Sequence, residues 1–212
     1  MTDLIIFGAS GFGREVAWLV ERINKNRPTW NLLGFMDDNE SLIGTTINGY
    51  NVIGSSKDVD KYKDVFFVCA VGASKIRKRI INKLGDCKFA TLIDPSVIIS
   101  DLVNIGEGTI ICASNIVTVN INIGKHVIIN LDCTIGHDAI LKDFVTLYPS
   151  VNVSGITNIG ECVELGTGTQ IIQGKKIGNN TIVGAGSVVV KDLPDNCTAV
   201  GIPARPIKFN EE

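Results

Sequence analysis

From Ile93 onward an aliphatic residue returns at every sixth position. The series runs Ile93, Ile99, Ile105, Ile111, Val117, Ile123, Ile129, Ile135 and Leu141, then Leu147, Val153, Ile159, Leu165, Ile171, Ile177, Val183 and Val189. All seventeen positions hold Ile, Leu or Val, and the beat needs no insertion or deletion. The next position is often glycine: Gly106, Gly124, Gly136, Gly160, Gly166, Gly178 and Gly184. Two residues before the aliphatic, small or β-branched side chains recur, as at Thr109, Val127, Cys133, Ala139, Val145, Val151, Thr157, Thr169 and Thr181. A period of six matches neither a helix nor an alternating strand. It matches a solenoid in which each hexad forms one side of a prism and one aliphatic per side points inward. The glycines are expected to relieve the corners by taking positive φ. The stepped residues are core and carry no chemistry.

Residues 1 to about 90 follow another pattern. LIIF, residues 4–7, is a short buried strand that ends in the turn GASGFG. In the following REVAWLVERI, Val16, Leu19, Val20 and Ile23 fall on one helical face, with Ser10 at the N-cap. NLLGFMDD is a second strand ending on two acids. VFFVCAVG, residues 65–72, is a third, uniformly apolar as in a parallel sheet covered on both faces. SKIRKRIINKLG is a helix with Ile76, Ile80 and Leu84 on one face and Gly85 as its stop. The expected architecture is therefore an α/β Rossmann-like βαβ domain over 1–92, followed by an all-β solenoid domain with a C-terminal tail over 93–212.

Composition narrows the partners. Hydrophobic residues are 45% and charged residues 20% of the 212, which suits a folded chain. The net charge of −2, with no long basic run, sets aside nucleic acid and anionic membrane as the main partner. No apolar stretch approaches the roughly 18 residues that span a bilayer, and no signal peptide opens the chain, so a cytoplasmic protein is expected. Six scattered cysteines without a C-x-x-C pair are expected to be buried thiols, with no metal site.

The candidate chemistry has two centres. The GASGFG turn lets backbone N–H groups approach a phosphate at a helix N-terminus. Its G-x-x-G-x-G spacing is not the dinucleotide G-x-G-x-x-G, so it is a poor signal for a nicotinamide cofactor. Asp37 and Asp38 end the second strand, where a carboxylate can accept bonds from a base or ribose. Gly72 ends the third strand and would line the same crevice. The other centre is GHDAILKDFVTLYPS, residues 136–150. His137 falls two residues after inward Ile135, so its side chain can leave the prism near a corner, and Asp138 follows it. His126, in KHVII with no acidic neighbour, is expected to be a surface residue.

The hexad run and the tail LPDNCTAVGIPARPIK resemble the hexapeptide-repeat acyltransferases. LIIFGASGFGREVA, GFMDDN and VGASKIRKRI resemble the sialic acid O-acetyltransferase NeuD-type family, which includes bacterial N-acetyltransferases of nucleotide-linked 4-amino-4,6-dideoxy sugars. That resemblance implies a left-handed parallel β-helix, an exception to the right-handed crossover rule. It makes Gly8, Ala9, Ser10 and Gly11 the nucleotide-sugar loop, and His137 the general base with Asp138 tuning it. It implies acetyl-CoA as co-substrate, without a metal, in a groove between adjacent β-helices of a homotrimer. By position, Thr146, Gly155, Thr167, Gly184 and Ala185 are the candidates to hold CoA, with the N–H near Gly155 donating to an oxyanion. Lys175, Lys176 and Arg205 are candidates for the CoA phosphates, and Phe144 and Tyr148 are apolar residues consistent with a trimer contact. The expected activity is N-acetylation of a nucleotide-linked amino sugar. O-acetylation of a sialic acid type sugar and a non-catalytic sugar-nucleotide scaffold remain as alternatives.

Overall fold

The computed structural model describes residues 1–209; the last three residues of the second expected domain, 210–212, lie outside the described residues. The N-terminal part begins with β1 (Thr2–Phe7), α1 (Gly11–Asn26) and β2 (Trp30–Met36). A hairpin, β3 (Thr46–Ile47) and β4 (Tyr50–Gly54), follows, turning on Asn48 and Gly49, both at positive φ. Then come β5 (Phe66–Cys69), α2 (Ser74–Leu84) and β6 (Lys88–Phe89). The sheet order is β3-β4-β2-β1-β5-β6, parallel except within the hairpin. The hairpin and β6 extend the sheet beyond the three strands that the apolar runs predict. Helix α1 buries Val16, Leu19 and Val20 as its periodicity requires, with Ile23 half-buried.

Leu92–Ile93 opens a left-handed parallel β-helix of two-residue strands. Three ladders form three sides. Side 1 runs from Leu92–Ile93 through Ile110–Ile111, Ile128–Ile129, Thr146–Leu147, Glu164–Leu165 and Ile182–Val183. Side 2 runs from Ile98–Ile99 to Val188–Val189, and side 3 from Asn104–Ile105 to Lys176–Ile177. Partners are eighteen residues apart, as in Thr134↔Asn152, so three hexads make one coil. The stepped aliphatics are the second residue of each strand. They are buried from Ile111 onward and half-buried in the open first coil. The residues two before them are buried from Thr109 onward except Lys175, which gives the core a second stack. A terminal hairpin, Cys197–Val200 with Arg205–Phe209, caps side 1.

The corners correct one expectation. Every sixth residue from Gly108 to Gly186 has φ between 53° and 73°, but these are not the glycines that follow the aliphatics. Gly136 and Gly166 have ordinary φ; they lack a side chain because the next coil passes too close. A Cβ would lie 2.6 Å from the Gly155 nitrogen in the first case and 2.5 Å from the Ala185 nitrogen in the second. The positive-φ residue falls two positions later, where Asn, Asp, Ser and His recur beside glycine.

The first domain sits on side 1. Outward-facing Ile110 and Ile128 are buried in one cluster with Leu4, Val16 and Val68. Over the corner between sides 3 and 1, Phe144 and Cys162 join a cluster with Phe67, Ile81 and Leu84. Arg22 forms a two-pronged ion pair with buried Asp94. The corner between sides 2 and 3 is therefore the one that lies opposite the first domain.

Candidate active site

The glycine turn lies at the switch point of the sheet, where β2 and β5 flank β1 on opposite sides. Gly8 sits at φ 105°, and a Cβ there would press on the Ala70 carbonyl at 3.0 Å. The Asp37 carboxylate holds the turn: it accepts from the Ala9 N–H at 2.9 Å and from the Asn39 N–H at 2.9 Å. Ser10 and Gly11 are exposed, and no side chain caps the N-terminus of α1. The free N–H groups and the helix dipole suit a diphosphate. The N-terminus of α2 is already taken. Glu164, from side 1, accepts from the Ser74 N–H at 2.8 Å and from its hydroxyl at 2.9 Å. Asp38 turns away from the loop, accepting from the Ser56 N–H and the Lys83 ammonium, both at 2.9 Å. Burial works to raise its carboxyl, but those two donors outweigh it and hold it below its ordinary value.

Gly72 completes a shallow cleft of about 120 Å³ with Phe12, Glu15, Ile128, Asn130, Thr146 and Tyr148. The floor of the crevice is thus side 1 of the β-helix. This corrects two sequence expectations. Thr146, assigned to CoA, is 1% exposed; its hydroxyl donates to the Gly72 carbonyl at 2.7 Å and accepts from Arg77 Nη2 at 2.9 Å. It belongs to the domain junction and cannot reach a groove on the outer prism. Phe144, expected at a trimer contact, is covered by its own chain at 8% exposure, whereas Tyr148 stays half-buried on the cleft and donates its hydroxyl to Glu164 at 3.2 Å. Burial beside Glu164 raises the Tyr148 phenol to about 12.

His137 projects from the corner between sides 2 and 3, opposite the crevice. Its side chain is 48% exposed and that of Asp138 51%, and Nδ1 lies 2.7 Å from Asp138 Oδ2. Asp138 reaches back because it occupies the positive-φ corner position, at φ 58°. Nε2 faces Gly155 on the next coil: a Cβ at Gly155 would lie 2.6 Å from it. Only glycine leaves room for the imidazole there. The Gly155 N–H donates to no group among the described residues. One corner therefore holds a carboxylate-oriented imidazole directly over the buried Gly155, whose N–H has no partner among the described residues.

The other residues assigned to CoA lie elsewhere. Thr167, Gly184 and Ala185 line the corner between sides 1 and 2, one full side away from His137 and Gly155. Thr167 and Ala185 are exposed there. Lys175, Lys176 and Arg205 join no ion pair among the described residues; the lysines lie near side 3 and Arg205 in the terminal hairpin. The chain thus carries its glycine turn, its imidazole and its remaining CoA candidates on three separate surfaces.

His126 is a further correction. It is 4% exposed, packed edge-on to Phe89 at 4.7 Å and stacked on Phe144 at 5.3 Å. Burial lowers its pKa to about 4. It stands at the corner under the first domain, which a local sequence signal does not encode. Sequence reasoning also missed Arg77, which lies off the Ile76–Ile80–Leu84 stripe of its helix. It is 1% exposed and donates to the carbonyls of Val71, Gly72, His126 and Phe144 at 2.7–2.9 Å. Burial lowers its pKa to about 10. Among the described residues no group of three or more His, Cys, Asp or Glu is arranged to hold a metal ion, and no helix is long and apolar enough to cross a membrane.

Residues 3–84 match the PglD N-terminal domain. The chain is 31% identical to a GDP-perosamine N-acetyltransferase of Escherichia coli, over 96% of this chain and 95% of that one. A histidine-to-asparagine variant of perosamine N-acetyltransferase from Caulobacter crescentus, solved with CoA and GDP-perosamine, superposes with a TM-score of 0.90. It is 28% identical and covers 98% of each chain. The acetyltransferase domain of PglB from Neisseria gonorrhoeae, in complex with acetyl coenzyme A, also superposes with a TM-score of 0.90. It is 32% identical over 97% of this chain and 98% of that one.

Proposed function

The chain belongs to the hexapeptide-repeat acetyltransferases that include PglD-type and perosamine N-acetyltransferases, and on that premise we propose that it transfers the acetyl group of acetyl-CoA to the amine of a nucleotide-linked 4-amino-4,6-dideoxyhexose. The observation that carries this reading is the corner geometry: His137 Nδ1 at 2.7 Å from Asp138, with Nε2 over Gly155. The related structures that hold CoA, GDP-perosamine or acetyl-CoA support the two substrate classes.

The mechanism follows from the groups present. Asp138 accepts the Nδ1–H of the neutral imidazole, which leaves the Nε2 lone pair, beside Gly155, to accept a proton. As the sugar amine attacks the thioester carbonyl carbon, Nε2 takes one N–H proton and a C–N bond forms. Asp138 stabilises the resulting imidazolium. The Gly155 N–H donates to the tetrahedral oxyanion. The oxyanion collapses, the C–S bond breaks, and the imidazolium returns its proton to the thiolate as CoA thiol. No covalent enzyme intermediate is needed. The crevice and the imidazole lie on opposite faces of one protomer, which favours a homotrimer in which one crevice delivers the amine to a neighbour's His137.

Thiol release from acetyl-CoA, with GDP-, UDP- and dTDP-linked 4-amino-4,6-dideoxy sugars as acceptors, tests the assignment. Wild-type protein should turn over at least one of them, and His137→Ala should lose about 10²–10⁴-fold in kcat while still binding both substrates. Turnover of a hydroxyl acceptor alone would move the activity to O-acetylation. An unimpaired His137→Ala would remove the histidine from the mechanism.

A further inference from the structure

The corner positions supply an internal comparison. Most positive-φ residues from Gly108 to Gly186 are Gly, Asn, Asp, Ser or His. Three are not: Phe144 at φ 60°, Cys162 at 56° and Ile156 at 58°. Phe144 and Cys162 are 8% and 3% exposed, because the first domain covers both. Their buried apolar surface accounts for an awkward residue at an awkward backbone angle. Ile156 has no such cover. It is β-branched, the least suited type for that conformation, and it is 54% exposed. Folding within this chain gives no reason for an isoleucine where glycine or asparagine would sit at ease.

Its position supplies one. Ile156 follows Gly155, donates its N–H to the His137 carbonyl at 2.8 Å, and stands one coil beyond Asp138 in the same column of the corner. Unfavourable backbone conformations that persist without a packing reason tend to lie at functional sites. We infer that Ile156 is the apolar wall against which the acyl group of the donor thioester packs, and that it sets the length of acyl chain accepted. This rests on the assignment of His137 as base and the Gly155 N–H as oxyanion donor. With the thioester oxygen at that N–H, the alkyl end comes within reach of the adjacent side chain. An apolar wall also lowers the local dielectric around the His137–Asp138 pair once substrate excludes water.

Ile156→Gly removes the wall and gives the corner the residue its backbone prefers. Binding of acetyl-, propionyl- and butyryl-CoA, and of unacylated CoA, to the full-length protein is measured by calorimetry, with oligomeric mass by light scattering. The wild type should favour acetyl-CoA. In Ile156→Gly the butyryl-to-acetyl ratio should rise about tenfold, the discrimination typical of pocket methylenes. Affinity for unacylated CoA and the oligomeric mass should not change. An unchanged ratio would overturn the inference. So would a fall in mass, which would make Ile156 a subunit contact, or an equal loss of affinity for all four ligands. None of these readouts requires an acceptor, so they stand even if no amino sugar is acetylated; that outcome would count against the proposed function alone.

Discussion

His126 stacks on Phe144, and its buried Nδ1 has no hydrogen-bond partner. Burial lowers its pKa to about 4, against the pull of Glu107 and Asp143 and with the help of Arg77 and Lys125. The unfolded chain titrates near the ordinary 6.5, so between about pH 6.5 and 4 the unfolded state binds a proton that the folded state refuses. The contribution to stability is therefore complete above that window and lost as pH falls through it. Allowing for water at the edge of the site, the loss is about 1–2 kcal/mol. Asparagine tolerates the φ of 53° at this position and does not titrate. Urea unfolding of wild type and His126→Asn at pH 7.5, 5.5 and 4.5 should show the wild type losing more stability by that margin. Parallel pH curves for the two proteins would mean that His126 takes up its proton in the folded state as readily as in the unfolded one.

Helix α2 docks through polar atoms. Its buried residues are Ser74, Arg77, Ile81 and Leu84, whereas Ile76 is 44% exposed, so the face is rotated from the Ile76–Ile80–Leu84 stripe. The reason lies beneath it. The helix lands on a prism corner, where the chain presents the carbonyls of His126, Phe144 and Val145, and only a guanidinium can satisfy them together with Val71 and Gly72. Arg77→Met keeps much of the volume and leaves those acceptors unpaired. It should lower the unfolding free energy by about 3 kcal/mol, followed by the fluorescence of Trp18 and Trp30. A loss below about 1 kcal/mol would mean that the carbonyls find other partners. The same contrast explains what the sequence discloses. Residue spacing reports what a side chain does within its own element, so the hexad core, the α1 face and the exposure of His137 at a corner were all readable. Thr146, Phe144, His126 and Arg77 take their roles from which side of the prism the first domain covers. No period in either segment encodes that choice. The hairpin β3–β4 escaped for another reason: β3 has only two residues, and YNVIG in β4 shows neither a clear alternation nor a uniform apolar run.

At the scale of the whole molecule, the turn held by Asp37 and the imidazole of His137 lie on opposite faces of one prism. A sugar bound by its diphosphate at α1 cannot also bring its amine to the same chain's Nε2 unless the prism is crossed. The arrangement works if a neighbouring copy turns its corner between sides 2 and 3 toward the crevice. In a closed ring every crevice then has one foreign imidazole. This yields a quantitative expectation for two inactive variants. Asp37→Ala releases the glycine turn and leaves His137 intact; His137→Ala does the reverse. Mixed at equal amounts, unfolded and reassembled together, they form rings in which a working site needs a His137→Ala chain supplying the crevice and an Asp37→Ala chain supplying the corner. Random assembly produces that pairing in about a quarter of sites, so activity should recover toward about a quarter of wild type. Each variant reassembled alone should stay inactive. If crevice and imidazole belonged to one chain, no mixture could restore either site, and the mixed sample would remain as inactive as its parts.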